Sequence, residues 1–260
     1  MDVFYSENST EDECLEVCKA LNVEAQCFNT FEKIEFVNRY NLVFDGHKRF
    51  LHVEDGKERF DIQVDFTSGG NDHRRKFGGG RGQAVAKAVG IKSGFIPSIC
   101  DLTAGMGGDA FVLAGLGCEM SLYERHPIVH CLLAGGLMSA NVFLSNSGDG
   151  GLFDTIQRMS IYNQSSLELN ADVALYDVVF LDPMFPERKK KSAQVKKEMR
   201  VFHDLVGEDL DADGLLVIAK KLAKKRVVVK RPKIAPFLNG EKPSLSQQGK
   251  STRFDIYLIQ

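Results

Sequence analysis

From residue 96 onward the chain repeats one pattern: a short apolar run ending in a carboxylate, then apolar residues at helical spacing. Ile96-Pro-Ser-Ile99-Cys100-Asp101 reads as a strand, and Asp109 to Gly115 as a helix beyond a glycine-rich turn. Cys118 to Glu124 is a second strand, followed by a helix that Pro127 opens. Ser160 to Leu167 reads as a third strand with its exit loop. In Asp177-Val-Val-Phe-Leu-Asp182 the apolar residues do not alternate with polar ones, which predicts an interior strand covered on both faces. Ser192–Leu205 and Gly214–Ala223 follow as helices, Val227–Val229 and Arg253–Ile259 as strands, and Pro232–Gly249 as a loop. Strands alternating with helices predict an α/β fold with a mostly parallel sheet.

The first seventy residues follow a different rhythm. Thr10–Leu21 has helical character, Asn41–Gly46 suggests a strand and turn, and Arg49–Asp65 alternates apolar with polar residues around Asp55-Gly56, a hairpin signal. The expected organisation is a small N-terminal α/β unit over residues 1–72 and a larger domain over 73–260. Arg74 to Gly82, with three consecutive glycines, is expected to be a hinge that also forms a phosphate-binding loop.

Where the apolar runs end, chemistry is concentrated. Pro183 cannot donate to a ladder and biases Asp182 to extended backbone, so the carboxylate should project from the strand's carboxyl end, the edge where α/β sheets bind ligands. The tip Asp182-Pro183-Met184-Phe185 suits an aromatic amine, whose lone pair is delocalised. The carboxylate and the Pro183 carbonyl can each accept one amine hydrogen while Phe185 stacks on the base. A plain strand and proline turn, with Asp182 as a helix cap and Phe185 in the core, fits that segment alone equally well. Upstream, Gly105-Met106-Gly107-Gly108 permits close approach to backbone, with Asp109 at the positive end of the next helix. Glu124 stands where a carboxylate commonly binds both hydroxyls of a ribose. The glycine spacing departs from Gly-x-Gly-x-x-Gly, which disfavours a nicotinamide enzyme. A glycine turn, an acid after the second strand and an Asp-Pro-x-Phe tip, in that order, match an amino-methyltransferase using S-adenosyl-L-methionine (SAM).

Composition adds modest constraints. The 260 residues are 43% hydrophobic and 26% charged, enough for a substantial core. No run approaches the roughly 20 apolar residues of a membrane span, and the first residues lack a signal peptide's basic start and apolar centre, so a cytoplasmic location without membrane association is expected. Six cysteines show no paired spacing and are expected to be reduced, and no metal site is expected. Net charge is only −2, but positive residues cluster in Arg74, Arg75, Lys76 and Arg81, in Arg188, Lys189, Lys190 and Lys191, and between Lys220 and Lys233. The first two blocks are candidate contacts for an RNA phosphate backbone, whereas Lys220 to Lys225 resembles an exposed helix face.

The segments His73–Ile91, Asp101–Ala114, Glu124–Pro127, Leu181–Pro186, Lys191–Phe202, Arg226–Pro232 and Arg253–Tyr257 closely resemble the ribosomal RNA small subunit methyltransferase J family. The resemblance runs from about His73 to the carboxyl terminus and is much fainter before it. It implies a Rossmann-like class I SAM-dependent methyltransferase with an antiparallel C-terminal strand. The implied activity is methylation of a guanine N2 in 16S ribosomal RNA, so the implied partner is that RNA or the small ribosomal subunit, with a monomer as the expected state. Carried over by motif, cofactor contacts are implied at Gly108, Asp109, Glu124, Arg125, Ser165, Ser166 and Asp182, and Asp101, Gly105 and Gly107 join them through the glycine turn. Gly108 stands where the family often has Arg, and His126 where it often has Asn; the Gly108 contact is expected to come from backbone. An adenine-N6 or glutamine methyltransferase could use a similar Asp-Pro tip. A catalytically idle RNA-binding assembly factor would need neither Glu124 nor Asp182.

Overall fold

The computed structural model describes the chain except residues 10, 57, 171–174, 185–196, 208, 210, 250 and 251. Its N-terminal part contains β1 (Asp2–Ser6), α1 (Glu11–Leu21), β2 (Ala25–Phe28), β3 (Tyr40–Asp45), β4 (Lys48–Asp55) and β5 (Glu58–Ile62), followed by α2 (Gly69–Phe77) and α3 (Ala84–Val89). Then come β6 (Ile99–Asp101), α4 (Gly108–Gly115), β7 (Met120–Glu124), α5 (Pro127–Ser147), α6 (Gly150–Gln157), β8 (Met159–Asn163) and β9 (Tyr176–Leu181). The chain ends with α7 (Lys197–Val206), α8 (Ala212–Leu222), β10 (Ala223–Pro232), β11 (Leu245–Gln248) and β12 (Thr252–Leu258).

The larger sheet has the order β11-β12-β10-β9-β6-β7-β8. Strands β10, β9, β6, β7 and β8 are mutually parallel, and β12 runs antiparallel to both β10 and β11. Strand order reverses at β6, with β9 on one side and β7 on the other, and this opens a crevice at the strands' carboxyl ends. Val178, Val179, Phe180 and Leu181 of β9 are all buried, as an interior strand requires. Part of the segment expected to be a loop, 232–249, instead supplies β11. Its Leu245-Ser-Gln-Gln sequence carries little apolar signal because it is an edge strand with three exposed residues.

The five-stranded sheet, β2-β1-β3-β4-β5, contains the expected hairpin as β4 and β5, with β1 parallel to β2 and β3. Helix α5 lies between the two sheets, against β4 on one side and β7 and β8 on the other. Two helical glycines permit this: a Cβ on Gly135 would stand 2.4 Å from Arg49 Cβ of β4, and one on Gly136 would stand 2.5 Å from Val64. One hydrophobic core therefore includes Val3, Leu42 and Leu51 of the small sheet together with Leu132, Leu133 and Phe111.

Helix α5 corrects one reading of the sequence. Its 21 residues include an 18-residue window with a mean hydropathy of 1.7, long and apolar enough to cross a membrane, contrary to the expectation that no stretch reaches that length. Small residues such as Gly135, Gly136 and Ala140 disguise the run, and burial between two sheets accounts for its apolarity.

Candidate active site

A cavity of about 380 Å³ opens at the carboxyl ends of β6, β7 and β9, within the size range of small-molecule sites. The implied cofactor positions Asp101, Gly105, Gly107, Gly108, Asp109, Glu124, Arg125, Ser165, Ser166 and Asp182 all line it. Leu102, Val129, Leu167 and Leu215 add apolar wall.

Backbone geometry shapes its floor. Gly105 and Gly107 both have left-handed φ values, +54° and +71°. A Cβ on Gly105 would meet nothing closer than 3.9 Å, so its missing side chain leaves room on the cavity side. A Cβ on Gly107 would instead strike Leu133 Cδ1 at 2.7 Å. Glu124, at the end of β7, accepts from the Gly105 amide on one carboxylate oxygen (2.9 Å) and from the His126 amide on the other (2.8 Å). It ties the glycine turn to the second strand, and each oxygen keeps a lone pair for a ligand hydroxyl. Burial raises the Glu124 carboxyl above its ordinary value, although both amides oppose the rise.

The Asp182 main chain is held from β6: its amide donates to Thr103 Oγ1 at 2.6 Å, and the Thr103 amide donates to Asp101 Oδ1 at 2.9 Å. Pro183 is buried behind it. The Met184 amide donates to Asp209 Oδ2 at 2.7 Å, and Asp209 also pairs with Arg125, whose other nitrogen binds Asp211. Arg125 therefore clamps the strand exit to the start of α8. Ser166 donates its hydroxyl to the Leu102 carbonyl at 2.7 Å and so braces the glycine turn. Ser165 sits one residue earlier on the cavity wall.

Four charged groups form a chain across the floor: Arg74 binds Asp109 Oδ1 (2.8 Å), Lys230 binds Asp109 Oδ2 (2.9 Å), and Lys230 binds Asp182 Oδ2 (2.7 Å). The Asp182 side chain is ion-paired yet 40% exposed, because it opens onto the cavity. Burial raises its carboxyl above the ordinary value, with Lys230 pulling the other way. For Asp109 burial acts upward too, but Lys230 and Arg74 outweigh it and hold the group low. Asp101, 3% exposed, is pushed up to about 7, by burial first and then by Asp182 and Asp109, against the Thr103 amide.

The expected phosphate-binding loop takes another form. Arg74, Arg75 and Lys76 lie on helix α2, and only Gly80–Gly82, which carries exposed Arg81, forms a short 3-10 turn. Arg75 is turned inward: its side chain is 11% exposed and binds both Asp72 (2.8 Å) and Asp149 (2.7 Å), so it joins α2 to the start of α6. Phe185 and the block Arg188, Lys189, Lys190 and Lys191 lie outside the described residues. Sequence reasoning passed over Thr103, Asp209 and Lys230. Lys230 carried a usable signal: a lysine follows the apolar run Val227–Val229 in the strand beside β9, one residue beyond the Val229–Leu181 pair.

The donor set fits SAM. Glu124 suits its ribose diol, the amino-terminal turn of α4 its carboxylate, and the apolar wall its adenine. A sequence profile of SAM-dependent methyltransferases matches residues 31–259, and a SAM-dependent methyltransferase crystal structure from Neisseria gonorrhoeae superposes with a TM-score of 0.71 at 33% identity, covering 99% of this chain and 96% of that one. Fold, cavity and comparisons define a class I SAM-dependent methyltransferase. The ribosomal RNA small subunit methyltransferase J of Shewanella pealeana is 53% identical over 84% of this chain and 86% of its own, and that of Cellvibrio japonicus is 53% identical over 88% and 85%. The chain belongs to the ribosomal RNA small subunit methyltransferase J family.

Proposed function

We propose that this protein transfers a methyl group from SAM to the exocyclic N2 of a guanine in 16S ribosomal RNA, acting on cytoplasmic small-subunit RNA or the subunit itself. The observation that carries the reading is that Asp182, at the tip of β9, opens onto the same cavity as Glu124 and the glycine turn. An amine acceptor and a nucleoside-binding carboxylate thus share one enclosure. SAM supplies a methyl activated by its sulfonium charge.

The protein's own work is alignment. Thr103 fixes the Asp182 backbone and Lys230 fixes one carboxylate oxygen. Among the described residues the other oxygen, Oδ1, has no hydrogen-bond partner and can accept a hydrogen from the target amine. The Pro183 carbonyl offers a second acceptor. Two acceptors favour a pyramidal, nucleophilic nitrogen, and holding it in line contributes on the order of 7–11 kcal/mol to the rate. The guanine has to leave its stack for the amine to reach this depth.

The test is tritiated methyl transfer to small-subunit RNA from a deletion strain, with the product nucleoside identified by mass. N2-methylguanosine at one position supports the reading. Methyl transfer to adenine overturns the base assignment, and no transfer to RNA overturns the function. Asp182→Asn should keep cofactor affinity and lose turnover.

A further inference from the structure

We propose that the outward face of α2 is a stacking platform for an unpaired nucleotide flanking the target base, with Phe77 and His73 taking the base and Lys76 and Arg81 its phosphates. The proposal rests on the RNA reading above and assigns a contact surface to it.

Helix α2 buries none of its nine residues. Polar anchors hold it in place: Arg74 to Asp109, Arg75 to Asp149, and Asn71 Nδ2 to the Asp65 carbonyl at 2.9 Å. An apolar side chain there has no core to join, yet Phe77 is 72% exposed. A single exposed apolar residue ordinarily needs no explanation. Three observations set this one apart.

His73 lies one helical turn before Phe77 on the same face, and the two rings are 5.4 Å apart at 49°, giving a two-ring surface. The helix borders the cavity, because Arg74 reaches its wall and Asn71 Oδ1 lies 3.5 Å from where a Gly108 Cβ would be. With a rise of about 1.5 Å per residue, Phe77 sits only about 5 Å along the axis from Arg74. The charge around the rings is positive on balance: Arg75 and Lys76 offset Asp72 and Asp149, with Lys76 still 43% exposed, and Arg81 stands exposed just beyond the helix as the excess cation. That balance suits a polyanion that also presents aromatic faces, namely single-stranded RNA.

The helix also stops where a platform should end. The Gly78 amide closes the last turn on the Arg74 carbonyl, and a Cβ at Gly78 would strike that oxygen at 2.4 Å.

The experiment compares wild type, F77A, F77Y, F77L and the K76A/R81A pair in methylation of small-subunit RNA, with SAM affinity measured in parallel. Losing one stacked base should raise KM for RNA about tenfold in F77A, with kcat and SAM affinity unchanged. F77Y should restore wild-type KM and F77L should not. K76A/R81A should reduce the salt dependence of RNA binding by about one to two ion equivalents. Unchanged KM in F77A, or full rescue by F77L, overturns the platform while leaving the RNA reading intact. Failure of the wild-type protein to methylate RNA overturns both.

Discussion

Lys230 donates to Asp182 across 2.7 Å and simultaneously to Asp109 across 2.9 Å, so one cation links the strand tip to the helix beyond the glycine turn. The arrangement ties up one Asp182 oxygen and favours the carboxyl's ionised form. Lys230→Gln removes that support. Burial and the nearby Asp109 then act on Asp182, with Arg231 opposing them, so its carboxyl rises further and the acid-side loss of activity moves to higher pH. The expected outcome is a kcat at least about tenfold lower at neutral pH, partly recovered at higher pH, with Lys230→Arg retaining most activity. In an Asp182→Asn background Lys230→Gln should add little, because the lysine acts through the carboxylate. A pH–rate profile for each variant checks both points.

Glu124 holds two backbone amides, and a glutamine has only one oxygen to offer. Glu124→Gln leaves one amide without an acceptor and weakens the site for a ribose diol. A hydrogen bond to a charged group is worth about 1.5–3 kcal/mol, so S-adenosylhomocysteine should bind about ten- to a hundredfold more weakly. Isothermal titration calorimetry measures this directly, with little change expected in kcat at saturating cofactor.

Strand tips were legible in the sequence because each ends abruptly. Asp182 closes the uninterrupted run Val178–Leu181, Asp101 and Glu124 close shorter apolar stretches, and all three reach one cavity. The positive charges were legible as blocks but not as roles. Neighbours in sequence diverge on a helix, so Arg74 faces Asp109, Arg75 faces Asp149, and Lys76 stays outside. A loop reading of 74–82 missed this because the glycines begin only after the helix ends. Thr103 and Asp209 escaped notice because their partners are main-chain amides at positions 182 and 184, distant in sequence. Strand β1 and the edge strands β2 and β11 are short, and β2 and β11 are largely polar or partly exposed, so periodicity gave them little signal.

Arg75 bears on how those charges divide the work. Its guanidinium joins Asp72 and Asp149 in a largely enclosed cluster. Arg75→Ala should destabilise the fold by about 2–3 kcal/mol, somewhat less than a fully buried pair, because Asp149 loses its close partner and Asp72 keeps only Lys76. RNA affinity in the folded fraction should keep its salt dependence. Denaturant unfolding combined with salt-titrated RNA binding separates the two effects, and a lowered salt slope would count against the structural role.

Adjacent glycines in the turn should differ sharply. Gly107 has φ +71° and no room for a Cβ beside Leu133, so Gly107→Ala incurs left-handed strain of about 1–2 kcal/mol plus a clash. Lower Tm and weaker cofactor binding are expected together. Gly108 is the first residue of α4, and a Cβ there meets only Asn71 Oδ1 at 3.5 Å. Gly108→Ala should be neutral or slightly stabilising, since alanine suits a helix better by about 1 kcal/mol. Retained cofactor affinity in Gly108→Ala would fit a contact made by backbone.

Asp101 should leave its mark on the pH dependence of stability. Its folded carboxyl is pushed up to about 7 by burial, against 3.8 for an ordinary aspartate. Between those values the folded protein keeps a proton that the unfolded chain has released. The associated stability is fully present below about pH 4 and is lost as pH rises towards 7, after which the penalty is constant. Asparagine keeps an oxygen for the Thr103 amide but carries no charge to bury. The Tm difference between Asp101→Asn and wild type should therefore be small near pH 4, grow through the intervening range and level off above about pH 7, in favour of the variant. Thermal melts across that range, without cofactor, read out the curve. A difference independent of pH would mean that Asp101 is ionised in the folded protein throughout.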